Sequence, residues 1–287
     1  MPLLIVILGI LLLFVLIAKF KLNAFISFII VCVFVGVFQE MELDRIVEAI
    51  QIGMGNTLGF LVMILGLGAM LGKLVSDSGA AQRITSKLVS SFGIKYIQWA
   101  VVVAGFIVGI PMFYSVGFVI LIPLVFTIAA STGLPLIYVG LPMLASLSVT
   151  HGFLPPHPAP TAIAGMFNAD IGKTLLYGII IAIPTIIVAG PLFTRTIKNI
   201  KATPLKEFYN PIVLKEEEMP AMGISLFTTL LPIILILCST LFTLFVPGEF
   251  LLKEVIVFIG NPVIAMLISV LVAIYALGIS RGKKMPE

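Results

Sequence analysis

The chain has 287 residues, of which 60% are apolar and 10% charged, with a mean hydropathy of +1.24 and a formal net charge of +4. Soluble domains are nearer half apolar and a quarter charged, so this composition excludes a fold whose whole surface faces water and points to a bilayer as solvent. The basic excess does not indicate nucleic acid, because the 17 lysines and arginines fall in short connections between apolar runs, where cytoplasmic loops carry them.

A membrane-spanning helix needs about 20 mostly apolar residues. The clear candidates are residues 3–18, 23–38, 58–71, 175–193, 224–245 and 255–277. The first reads as a retained span: no basic region precedes it, no small-residue cleavage site follows it, and Lys19 and Lys21 come after it. Cys32 and Cys238 lie inside apolar runs and read as small buried hydrophobes, not as a disulfide or metal pair. Leu43, Ile46, Val47 and Ile50 recur at helical spacing opposite acids, which predicts an interfacial helix. Asn56 and Thr57, in GMGNTLG (53–59), read as the start of the next span, with glycines for close packing. Gly68 and Gly72 form a small-xxx-small pair, read as ordinary helix packing. Ile84, Leu88 and Phe92 repeat the interfacial pattern opposite Arg83 and Lys87. From about 96 to 167 the apolar sequence is broken repeatedly by Gly and Pro.

Loop charge orients these spans. Lys19 and Lys21 mark an inner turn, and residues 40–48, with four acids and only Arg45, suit the outside. Lys73, Arg83, Lys87 and Lys95 against Asp77 return the chain inside. Arg195, Lys198, Lys201 and Lys206 mark another inner loop, and Arg281, Lys283 and Lys284 the last. The N-terminus is then outside, and an even number of crossings separates Lys95 from Arg195. Four spans satisfy that, as does one re-entrant hairpin plus two spans.

The stretch with the most chemistry is SLSVTHGFLPPHPAPTAIAG (146–165). Pro155, Pro156, Pro158 and Pro160 cannot sit in a continuous helix, since each removes a backbone donor and clashes with the preceding turn. Irregular backbone at membrane depth persists only where protein buries it or it lines a wet cavity, and transporters aim such breaks at polar substrates. This break also carries Ser146, Ser148, Thr150, His151, His157 and Thr161, including both histidines of the chain. A single histidine in an apolar run is usually a satisfied structural group; two at one break favour a polar site. Zinc competes as an explanation, but two imidazoles without Asp, Glu or Cys nearby make an incomplete site, and no cofactor is implied. HExxH and other hydrolase motifs are absent, which leaves an intramembrane protease a weak alternative. A second break, GIPMFYSVG (109–117), is either a kink or the tip of a re-entrant hairpin that exposes Tyr114 and Ser115. Residues 80–169 contain no Asp or Glu, so only histidine there titrates near neutral pH.

At HGFLPPHPAPTAIA (151–164) the chain resembles the gluconate permease family, proton symporters within the ion-transporter superfamily. The same resemblance is carried by LGLGAMLGK (65–73), DSGAAQR (77–83), IQW (97–99), VGF (116–118), LIPLVF (121–126) and FNADIGKT (167–174), so it covers essentially the whole chain. It implies an all-α polytopic protein of the cell membrane that imports gluconate or a related sugar acid with protons. It further implies an inverted-repeat fold with a re-entrant hairpin at 109–117 and a broken helix unwound over 150–161. The expected substrate-binding residues are His151, His157, Thr150, Thr161, Ser148, Tyr114 and Ser115, with His151 and His157 as proton carriers. The start of the helix after Pro160 is expected to help meet the anion's charge. Three departures stand out. Ser115 stands where members usually carry glutamate, so that, if the glutamate relays protons, coupling here is altered or moved to a histidine, and Ala159 replaces a glycine. Members are also longer: residues 1–215 read as one complete repeat and 216–287 as the start of a second, incomplete one, so a truncated carrier is expected.

Other readings differ in what they require. Relatives also handle hydroxy amino acids such as D-serine, and the residues do not separate that class from sugar acids. An enzyme would need a nucleophile, base or metal constellation. A membrane scaffold would not need a proline-broken helix with two histidines. The partners expected are a small organic anion, protons and the lipid bilayer. Residues 3–38 are the segment that superfamily resemblance suggests for a homodimer interface.

Overall fold

The computed structural model describes residues 2–197, 200, 214–248 and 250–282. The inner-loop bases Lys198, Lys201, Lys206, Lys283 and Lys284 lie outside the described residues. Among those described all regular structure is helical, and six helices are long and apolar enough to cross a membrane, or seven if one bent pair counts as a span. The protein is therefore a multi-pass membrane protein. Its contacts divide it into two units, residues 1–62 and 63–287.

The first unit holds α1 (Pro2–Ala18), α2 (Ala24–Phe38) and the first half of α3 (Leu43–Asp77). The side chain of Asn23 starts α2 by accepting from the Phe25 amide at 2.9 Å. Gly9 lets α1 lie on Val31 and Val35 of α2, and Gly36 of α2 receives Ile46 of α3. Two expectations are corrected here. α3 runs 35 residues unbroken, about 52 Å at the helical rise, so residues 43–50 are not a separate interfacial helix and Asn56 does not open a span. No proline interrupts 43–77, and glycine lowers helix propensity without forcing a break. A Cβ on Gly55 or Gly59 would have nothing within 4 Å among the described residues, so no packing contact is seen at either.

The second unit is built on α5 (Ile97–Gly109) against α7 (Leu136–Phe153). A Cβ on Gly105 would lie 2.8 Å from the Met143 carbonyl oxygen, and one on Gly109 would lie 3.0 Å from Leu147. Ser146 of α7 then reaches across to the Val102 carbonyl at 2.7 Å. α6 (Tyr114–Thr132) meets Leu147 through Gly117, and α9 (Ile171–Ile187) meets the end of α7 through Gly178. Around Gly190 and Pro191, α9 loosens into a π-helical turn (Val188–Leu192) that lies on Pro142, then ends in α10 (Phe193–Thr196).

α4 (Ala80–Phe92) is helical as its spacing predicts, and its apolar face packs on the protein: Ile84 is fully buried in the main apolar cluster, with Leu88 packed against it. α4 and the helix that follows it are bent by 110° at Gly93. α11 (Met222–Phe245) matches its expected span. The span expected over 255–277 does not: α12 (Leu251–Gly260) and α13 (Pro262–Ala273) are separate helices divided at Asn261. Its side chain caps α13 on the Val263 amide at 3.0 Å, with Pro262 in the first turn, a start signal that an apolar count passes over.

At one end of this unit, Arg83 bonds the Pro220 carbonyl at 2.9 Å and the Glu216 carboxylate at 2.7 Å, while Arg281 bonds the Ser78 carbonyl at 3.3 Å. Arg281 also donates to the Glu218 carbonyl. The two arginines share one end of the bundle, as the loop charges require of groups on one side. Cys32 and Cys238 are both exposed thiols, not buried ones. In a bilayer an apolar run fills outer as well as inner helix faces, so apolarity alone does not indicate burial.

Gly105→Val is expected to overpack the α5–α7 contact and destabilise the protein by about 1–3 kcal/mol. A lowered thermal midpoint in detergent, against an unchanged one for Gly55→Ala, would show it.

Candidate functional site

α7 stops at Phe153 because Pro155 and Pro156 cannot donate to the carbonyls of His151 and Gly152, which a continuous helix would require. The chain turns through Leu154–His157 and restarts as α8 (Pro158–Met166). The turn is closed by backbone bonds from Leu154 to Thr150 at 3.2 Å, His157 to Leu154 at 3.0 Å and Thr161 to His157 at 3.1 Å. Leu154, Pro155, Pro156 and His157 are all buried. α8 begins two residues before Pro160. Pro158 and Pro160 lack amide hydrogens and the Thr161 amide is taken, which leaves Ala159 as the one uncommitted donor among the first four positions.

The two histidines meet across this turn, with His151 Nδ1 3.2 Å from His157 Nδ1. His157 Nε2 lies 3.0 Å from the Gly109 carbonyl oxygen at the end of α5. A carbonyl only accepts, so His157 carries its proton on Nε2 and donates it there. In the neutral pair His157 Nδ1 is then an acceptor and His151 Nδ1–H the donor, which fixes both tautomers. Both ring nitrogens of His157 are committed, so it offers no lone pair to a metal. His151 is half-buried and stands edge-on to Phe113, ring centres 6.1 Å apart.

The remaining expected residues divide. Thr150 and Thr161 are fully buried beside the pair, and each donates its hydroxyl to its own helix, to Ser146 at 2.8 Å and His157 at 2.5 Å respectively. Ser148 is exposed on α7, three residues before His151. Tyr114 stacks on Phe118 at 6.1 Å. The break at 109–117 is a turn, Ile110–Phe113, between two helices, and it lies against Gly72, where a Cβ would be 3.2 Å from the Pro111 carbonyl. Gly72 therefore seats the turn rather than a helix.

Ser115 is exposed and lines a cavity of about 540 Å³ shared with Gly68, Gly72, Lys73, Ser76, Asp77 and Phe113. Lys73 and Asp77 are the residues that reading the sequence missed, since they pass for loop charges. They sit in the last turns of α3, one helical turn apart, with Lys73 Nζ 2.8 Å from the Asp77 carboxylate. The i, i+4 spacing with Ser76 between them was the available signal. Exposed pairs at that spacing contribute only about 0.3–0.5 kcal/mol, too little to explain the arrangement by stability.

The match to the GntP family permease runs over residues 1–287. The chain belongs to that family. It is 51% identical over its full length to the high-affinity gluconate transporter of Escherichia coli K12, of which it covers 66%. It is 49% identical to the Gnt-II system L-idonate transporter of the same organism, covering 65%, and 50% identical over 98% of its length to the gluconate permease of Bacillus subtilis, also covering 65%. The chain thus spans just under two-thirds of the length of these relatives. No solved structure matches it. As a GntP family permease it is a multi-pass protein of the cell membrane.

His157→Phe removes the partner of a buried carbonyl and of His151 Nδ1–H, and is expected to destabilise the permease by about 1–3 kcal/mol. His151→Phe, at a half-buried position that water can reach, is expected to cost less. Thermal midpoints of the two variants in the same detergent decide the order.

Proposed function

We propose that this chain builds the substrate site of a proton-coupled carrier for gluconate or a related sugar acid. What carries the reading is the proline-broken turn between α7 and α8, whose paired histidines are tied to the end of α5, in a chain about half identical to proteins named as gluconate and L-idonate transporters. α5 and α6 with their turn act as the hairpin, and α7 and α8 as the broken helix. At 13 residues, α5 is about 20 Å long, short of the roughly 30 Å hydrocarbon core, as a hairpin arm would be, whereas α6 at 19 residues is long enough to cross it. Residues 1–215 form one repeat in this reading, and α11 to α13 open a second of inverted topology.

The histidines serve as the proton carriers. A proton taken up at His151 Nε2 allows the Nδ1 proton to pass to His157 Nδ1 across 3.2 Å, while His157 Nε2–H stays on the Gly109 carbonyl. The pair therefore changes charge without letting go of the hairpin. His151, His157, Ser115, Ser148 and Tyr114 are the residues assigned to the substrate and its path, with Thr150 and Thr161, whose hydroxyls are donated within their own helices, as its buried wall.

The test has two parts. The purified chain in nanodiscs is expected to bind labelled gluconate, with L-idonate competing and D-serine not; if no sugar acid binds, the reading is wrong. In cells that lack their own gluconate carriers, a carrier in which this chain is completed with the second repeat of a full-length relative is expected to show uptake that an uncoupler abolishes. Uptake that survives the uncoupler would remove proton coupling.

A further inference from the structure

The helix break lacks a fixed cation. The histidine pair is neutral in the tautomers its partners impose, and the start of α8 has only the Ala159 amide uncommitted. A sugar acid is a permanent anion near neutral pH, so a site that holds it against water needs a positive group that stays charged. The cavity beside Ser115 supplies one. Its volume, about 540 Å³, lies within the roughly 300–1,000 Å³ range of ligand pockets. We propose that Lys73, held by Asp77 on the wall of this cavity, binds the carboxylate of the substrate, with Ser76 and Ser115 taking its hydroxyls.

The geometry suits an exchange. An ammonium has three donors, and its bond to Asp77 uses one, so a substrate carboxylate can join or replace Asp77 on Lys73. The side chains of Lys73 and Asp77 are 75% and 59% exposed, so an arriving anion displaces water instead of breaking a buried pair. Asp77 thus acts as the occupant of Lys73 when substrate is absent. Gly72, next to Lys73 in the chain, adds no side chain to that wall, and the turn it seats brings Ser115 to the opposite side. Phe113 lines this cavity and also stands edge-on to His151, so one aromatic ring separates the carboxylate site from the histidine pair. The assignment rests on the sugar-acid reading above and names the residue that meets the charge.

The experiment is competition binding of labelled gluconate to the full chain in nanodiscs, comparing wild type with Lys73→Gln, Lys73→Arg and Asp77→Asn. Glucitol, which carries CH₂OH in place of the carboxylate, is the neutral control. Lys73→Gln is expected to weaken gluconate about 10- to 100-fold while leaving glucitol unchanged, and Lys73→Arg to restore much of the loss. Asp77→Asn keeps the cation and removes its competitor, so gluconate is expected to bind as tightly as to wild type or tighter. Unaltered gluconate binding by Lys73→Gln, or parallel loss of gluconate and glucitol, overturns the assignment and leaves the sugar-acid reading standing. Loss in Asp77→Asn as large as in Lys73→Gln overturns it too, because it marks the pair as structural. A wild-type chain that binds no sugar acid overturns both.

Discussion

Gly105 and Gly109 allow α5 to lie so close to α7 that a single added methyl at Gly105 would come within 2.8 Å of the Met143 carbonyl. That approach puts the last carbonyl of α5 within reach of His157, four residues beyond the end of α7, and the bond between them closes the helix break onto the neighbouring turn. The same contact sets Ser146 on Val102 and Leu147 between Gly109 and Gly117. Larger residues on that face of α5 would separate the two helices. The histidine turn would then have prolines on one side and an unpaired carbonyl on the other.

A bilayer changes what the apolar residues do. Leu, Ile, Val and Phe cover the outer faces of nearly every helix, so the interior is marked less by apolarity than by small residues and hydroxyls. Ser146, Thr150, Thr161, Thr228 and Ser269 are fully buried, each donating to a backbone carbonyl. Such bonds satisfy a hydroxyl inside one helix or across a tight contact without any partner charge. Thr150 illustrates the consequence: its hydroxyl is spent on Ser146 and its methyl packs against Gly109, so it supports the site's wall.

The polar groups of the candidate site fall into two sets, with Phe113 between them. One is the buried histidine pair, neutral and fully hydrogen-bonded; the other is an exposed cavity with a fixed positive and a fixed negative charge. The proposed carrier of an anion and a proton needs a group for each, and the two sets differ in their surroundings. The histidines share a proton across a 3.2 Å contact with His157 buried, whereas Lys73 and Asp77 are both exposed.

Much of this was legible in the residues themselves. Composition fixes the membrane class, and prolines at 155 and 156 force a break wherever the chain is placed, because a missing amide hydrogen is a covalent fact. The motif around the two histidines carried the family. What escaped was anything that depends on which face of a helix meets a neighbour. Residues 43–77 join into one helix, 255–277 part at Asn261, and both cysteines turn outward. Ser148 is exposed while Leu147 and Val149 beside it are buried. Lys73 and Asp77 passed as loop charges until α3 proved continuous and its Gly72 was seen to seat the α5–α6 turn, which puts Ser115 on their cavity. Local chemistry is written in the order of residues; the meeting of separate helices depends on side-chain fit over distance, and only the tertiary structure decides it.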